Sequence, residues 1–135
     1  MSVFEWPVRV YYEDTDAGGV VYYANYLKFL ERARTEWLRS LGFGQDVLMR
    51  ESGIVFAVRR VEIDYLLPAR FDDALTVDAA VETVSKVALT FRQAIRRAPD
   101  RLLSRALVQI VCLDRSSFRP TAIPAEIREK MYAQQ

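Results

Sequence analysis

Asp14 and Asp16 stand in the run Glu13-Asp14-Thr15-Asp16, just ahead of Gly18-Gly19 and of a long segment with helical periodicity. A carboxylate so placed has two chemical uses. It can attack an activated carbonyl as a nucleophile, or it can take a proton from water as a general base. The first turn of a helix leaves backbone N–H groups without partners and carries the positive end of the macrodipole. A glycine turn lets a bound group come close to that end, where an N–H can hold a developing oxyanion. Asp16 is therefore the candidate nucleophile or base, with the helix start as candidate oxyanion donor. A plainer alternative is that both aspartates only shape the turn or favour the helix dipole.

Two absences narrow the chemistry further. The chain has no histidine, which removes Ser-His-Asp and Cys-His systems, imidazole bases and histidine-based zinc sites. It has one cysteine, Cys112, inside the apolar run Ala106–Leu113, so an intramolecular disulfide or a four-cysteine metal site is impossible. A thiol in such a run is expected to be core. Catalysis is left to carboxylates, Lys, Tyr, Ser, Thr or the backbone. A net charge of +1 gives no electrostatic case for nucleic acid or an anionic membrane. No apolar run reaches the ~20 residues of a transmembrane helix, and no secretory signal is visible, so a cytoplasmic location is expected.

The elements that must position Asp16 follow from periodicity. Val8, Val10 and Tyr12 alternate with Arg9 and Tyr11, which predicts a first strand over roughly Trp6–Tyr12 with Pro7 at an edge position. From about Ala24, the set Tyr26, Phe29, Leu30, Ala33, Trp37 and Leu41 recurs at spacings of three and four, opposite Lys28, Glu31, Arg32, Thr35 and Arg39. That is an amphipathic helix, with Gly42 placed to cap it. Gln45–Glu51 is expected to be a short helix ended by Ser52-Gly53. Strands are expected at Ile54–Leu66, Leu75–Glu82, Val87–Arg96 and Leu102–Leu113, the last apolar on both faces and hence interior. Pro124 opens a closing helix. With no repeat or linker, the 135 residues are expected to form a single domain, residues 1–135, in the α+β class: an antiparallel sheet of about five strands around one long helix.

The motif Tyr12–Val21, followed by Tyr23-Ala24-Asn25-Tyr26 and Glu31-Arg32-Ala33-Arg34, resembles the 4-hydroxybenzoyl-CoA thioesterase family of hotdog-fold proteins. Within it, the branch of Tol-Pal-system-associated acyl-CoA thioesterases is the most similar. Asp64-Tyr65-Leu66, Pro68-Ala69-Arg70 and Asp72-Asp73 extend the likeness over essentially the whole chain. The resemblance implies the hotdog fold and hydrolysis of an acyl-CoA thioester with no cofactor beyond the coenzyme A of the substrate. It implies Asp16 as the catalytic aspartate, the backbone N–H of Tyr23 as oxyanion donor and Lys86 as a contact to the coenzyme A phosphates. It also implies a homodimer or homotetramer with sites at the subunit interface. Many members of the branch carry His where this chain has Tyr23. The backbone donor survives that change, since every residue except proline has an N–H.

Other residues carry alternatives. Glu31 is a second carboxylate, expected to face solvent or an interface. Arg34 falls within the apolar stripe and is expected to snorkel or pair at a subunit contact. Tyr11, Tyr12, Tyr22, Tyr23 and Tyr26 are candidates for an acyl pocket or for core. A hydratase or dehydratase would need an imidazole to move its proton. The alternative function from a different class is a non-catalytic scaffold. It would bind acyl-CoA or acyl carrier protein alongside lipid-synthesis enzymes, linked to phospholipid metabolism or the cell envelope.

Overall fold

A computed structural model describes residues 3–135. Five antiparallel strands form one sheet: β1 (Phe4–Arg9), β2 (Ile54–Tyr65), β3 (Ala74–Val84), β4 (Ala88–Arg97) and β5 (Arg101–Asp114), in the order β1-β3-β4-β5-β2. The 16-residue helix α1 (Asn25–Ser40) lies across one face of the sheet. A short helical turn α2 (Gln45–Val47) continues into a wider turn at Leu48–Ser52, and α3 (Ala125–Gln134) packs beside β3. This is the α+β hotdog arrangement that the sequence led us to expect.

The expected boundaries shift in two places. The first strand ends at Arg9, because Tyr12–Asp14 winds into a tight turn that carries the chain away from β3. The segment expected as one helix over Gln45–Glu51 is α-helical only for its first three residues. Pro7 does lie on an edge strand and β5 is interior, between β4 and β2.

The core forms where the apolar stripe of α1 meets the inner face of the sheet. Tyr26, Phe29, Leu30, Ala33, Trp37 and Leu38 are buried against Leu75, Val77, Phe91, Ile95 and Val108. Trp37 meets Phe91 edge to face at 4.9 Å. Each fully buried large side chain contributes about 1.5–3 kcal/mol, so this stripe, more than helix propensity, holds α1 in place. One polar side chain lies within it. Gln93 is fully buried, and its Nε2 donates to the carbonyls of Leu30 and Asp78 at 3.0 and 3.1 Å.

Candidate active site

Asp14 and Asp16, two residues apart, do different work. Asp14 is buried and acts as a structural anchor. Its Oδ2 accepts the Tyr11 N–H at 2.8 Å, its Oδ1 accepts from Asn25 Nδ2 at 3.0 Å, and its carbonyl accepts the Tyr22 N–H at 2.9 Å. The carboxylate thus ties the end of the turn to the first residue of α1, close to the positive end of that helix. The alternative reading of the aspartates as turn-shaping residues holds for Asp14.

Asp16 faces outward. It occupies the tip of a small hairpin in which Thr15 pairs with Val21 and the Asp16 N–H donates to the Val20 carbonyl at 3.0 Å. Gly18 N–H donates to Asp16 Oδ1 at 2.8 Å, which fixes the carboxylate's orientation. Its other oxygen has no partner among the described residues. A Cβ at Gly18 would sit 3.2 Å from Asp16 Oδ1, so glycine is what lets the backbone approach that oxygen. Gly19 has φ +80°, the left-handed backbone that closes the turn. Tyr12 and Phe71, edge to face at 5.6 Å, form an aromatic wall to the open hollow in front of Asp16.

The hairpin delivers the chain directly to the start of α1. Among the described residues, the N–H groups of Tyr23 and Ala24 have no acceptor, and Ala24 makes no side-chain cap. These are the unpaired donors expected at a helix start, left free because no Ser, Thr or Asp occupies the cap position. The Tyr23 ring points to solvent and its carbonyl accepts from Tyr65 Oη at 3.1 Å. Tyr26 is buried with its hydroxyl accepting the Ala69 N–H at 2.9 Å. The Tyr22 phenol is pushed above its ordinary pKa. Its hydrogen bond with Tyr23 is the main cause, followed by repulsion from Tyr23, desolvation and the charge of Asp16. The hairpin joins Asp16 to Tyr23, just ahead of α1, through six intervening residues.

Lys86 stands apart. It lies beyond the C-terminal end of β3, whereas Asp16 follows the end of β1 that pairs with Ala74 at the N-terminal end of β3. The eleven residues of β3, roughly 36 Å of strand at about 3.3 Å per residue, lie between those two ends. Glu31 is exposed on α1 and accepts from the Thr35 hydroxyl at 2.7 Å. Arg34 turns inward and donates to Gln93 Oε1 at 3.0 Å. Burial lowers its pKa to about 10, partly offset by the nearby charge of Glu31. Gln93 had no signal in the sequence, since it occupies an ordinary position in an alternating strand.

A five-stranded antiparallel sheet wrapped on one long helix is the hotdog fold. Residues 10–131 match the model of the Thioesterase-like superfamily, and the chain belongs to that family. The chain is 48% identical over 126 residues to the acyl-CoA thioester hydrolase YbgC of Escherichia coli O6:H1, covering 93% of each chain. It is 47% identical over 125 residues to the acyl-CoA thioesterase YbgC of Haemophilus influenzae, covering 93% of this chain and 91% of the other. Among solved structures, Slr0204 of Synechocystis, a 1,4-dihydroxy-2-naphthoyl-CoA thioesterase, superposes with a TM-score of 0.89. The superposition covers 97% of this chain and 96% of that one at 24% identity, a likeness of fold.

Proposed function

We propose that this thioesterase hydrolyses acyl-CoA esters, with Asp16 as the reacting carboxylate and the Tyr23 N–H as oxyanion donor. One observation carries the reading: a carboxylate with one oxygen held by a glycine N–H and the other free, on the hairpin that leads into a helix start with unpaired N–H groups. The acyl-CoA substrate follows from the YbgC relatives, which are named for that activity.

The free oxygen of Asp16 attacks the thioester carbonyl carbon, or takes a proton from a water that does so. In either route negative charge develops on the carbonyl oxygen, and an N–H at the start of α1 receives it. Collapse breaks the carbon–sulfur bond and coenzyme A leaves as thiolate. The nucleophilic route leaves an acyl-aspartyl anhydride that water then opens. Solvent oxygen found in Asp16 after a single turnover in heavy-oxygen water marks the nucleophilic route, with water opening the anhydride at the aspartyl carbonyl. No metal or further cofactor enters either scheme.

The active assembly in this reading is a homodimer or homotetramer. β2 is an edge strand of 12 residues whose outer backbone edge has no partner strand among the described residues, and Val58 and Tyr65 on it are exposed. A second copy adding its own β2 would remove that edge. Lys86, beyond the far end of β3 from the Asp16 turn, is in this reading the contact to the coenzyme A phosphates, at its own chain's site or a neighbouring subunit's. The cytoplasmic location expected from the sequence belongs to the same reading. Thiol release from short, long and aromatic acyl-CoAs by the wild-type protein tests the proposal, with mass by sedimentation measured alongside. Turnover of at least one thioester by an oligomer is the expected result. An oligomer that binds acyl-CoA and turns over none would be the non-catalytic scaffold instead.

A further inference from the structure

The two peptides that lead into α1 are held in different ways. The Asn25 N–H donates to the Tyr22 carbonyl at 2.8 Å, closing a turn whose central residues are Tyr23 and Ala24. The Tyr22 N–H donates to the Asp14 carbonyl at 2.9 Å. The peptide that carries the Tyr23 N–H is therefore fixed by backbone bonds on both sides. The next peptide, which joins Tyr23 to Ala24, has no such support. Its carbonyl, on Tyr23, accepts from no backbone N–H among the described residues, and its partner is the Tyr65 hydroxyl at 3.1 Å. Its N–H, on Ala24, has no acceptor among them.

Tyr65 reaches this carbonyl from the last position of β2, 42 residues later in the chain. Two other rings set its orientation, Tyr26 edge to face at 5.2 Å and Tyr23 edge to face at 6.3 Å. Tyr26 is itself buried and anchored on the Ala69 N–H. Desolvation, then the phenols of Tyr23 and Tyr26, push the Tyr65 pKa above its ordinary value, so the hydroxyl keeps the proton it donates. The bond is exposed, and water can stand in for a lost hydroxyl, so it adds little to stability. A mobile water does not hold the plane of the peptide. A donor already aimed costs no reorganisation when charge develops. A hydrogen bond on the carbonyl also polarises the N–H of the same amide, by about 10–30% per bond.

We infer that Tyr65 is a positioning residue for thioester hydrolysis: by holding the Tyr23 carbonyl it aims the Ala24 N–H, which receives the oxyanion together with the Tyr23 N–H. The inference rests on the thioesterase reading above and adds to it a second donor and the side chain that supports that donor. Tyr65 acts through one amide and touches none of the reacting atoms. Its hydroxyl therefore matters more when charge has developed on the thioester oxygen than when substrate first binds, which is a loss in kcat and not in KM.

The test compares wild type with Tyr65→Phe, which keeps the ring and its packing and removes the hydroxyl alone, by thiol release from an acyl-CoA. The expected result is a kcat lower by about tenfold, the upper range of one neutral hydrogen bond. KM should stay within about twofold, with the melt and the oligomeric mass unchanged. A second protein carries an ester in place of the Tyr23–Ala24 amide, which deletes the Ala24 N–H. Its kcat should fall by about a hundredfold, as for the loss of an oxyanion donor. Tyr65→Phe on that background should cost less than about twofold more, because the N–H it supports is already gone. Equal kcat in Tyr65→Phe and wild type overturns the inference. So does a loss that persists in full on the ester background, or one that comes with a lower melt or a lower mass, since each would make Tyr65 a brace for the fold or the assembly. Wild type that hydrolyses no acyl-CoA overturns the thioesterase reading and this inference with it, so the wild-type assay tells the two failures apart.

Discussion

Replacing Asp14 with alanine should unfold the support of the site while sparing the groups proposed to react. The substitution removes two hydrogen bonds to a buried carboxylate, from the Tyr11 N–H and from Asn25 Nδ2. Bonds to charged groups contribute about 1.5–3 kcal/mol each. Tyr11 is exposed, so water replaces part of what its N–H loses. The net cost should be about 2–4 kcal/mol. At about 4 °C per kcal/mol for a domain of this size, the melting temperature should fall by roughly 8–15 °C. Calorimetric melts of Asp14→Ala, Asp14→Asn and Asp16→Asn measure this directly. Asp14→Ala should lose the most, Asp14→Asn less because its amide keeps one bond, and Asp16→Asn little. A melt of Asp14→Ala within about 2 °C of wild type would refute the view that Asp14 ties the turn to α1.

Four further outcomes follow from the same structure. Gly19→Ala should cost about 1 kcal/mol, seen in denaturant midpoints, because its φ of +80° strains any residue with a Cβ. Gly18→Ala should leave the melt nearly unchanged yet lower kcat, since its Cβ would crowd Asp16 Oδ1 at 3.2 Å. Gln93→Leu should destabilise by about 3 kcal/mol in the same assay, because it leaves the part-buried Arg34 charge without its acceptor. Burial raises the Cys112 thiol from 9.0 to about 11, which favours the neutral form in the folded state. That stabilisation is complete below pH 9 and is lost as pH rises through 11. It is worth on the order of 2 kcal/mol. Wild type should therefore lose more stability than Cys112→Ala over that range in parallel melts.

Much of the frame was legible because the signals were local. The spacing of Tyr26, Phe29, Leu30, Ala33 and Trp37 gives a helix whose apolar face must be covered, and the alternation in β3 and β4 gives strands that can cover it. The turn that carries Asp16 and the start of α1 were legible as local structure, since turn chemistry and the first helical turn adjoin in the chain. What was not legible depended on contacts between distant positions. Asp14 and Asp16 are the same residue type two apart, and only the return of Asn25 to Asp14 tells anchor from exposed carboxylate. Arg34, expected to snorkel or to pair at a subunit contact, has its partner within the chain, Gln93, 59 positions away on β4. Lys86 illustrates the reverse: its place after β3 follows from the hairpin, but its distance from Asp16 follows only from strand order.

The most direct test of the proposed chemistry is kcat of Asp16→Asn against wild type on one hydrolysed acyl-CoA, with melts run on the same samples. The amide keeps the size of the side chain and can still accept the Gly18 N–H, while it removes the charged oxygen that attacks or takes the proton. A fall of at least about a hundredfold in kcat with an unchanged melt is the predicted result. Turnover within about threefold of wild type would contradict the assignment of Asp16 and move the chemistry to another carboxylate.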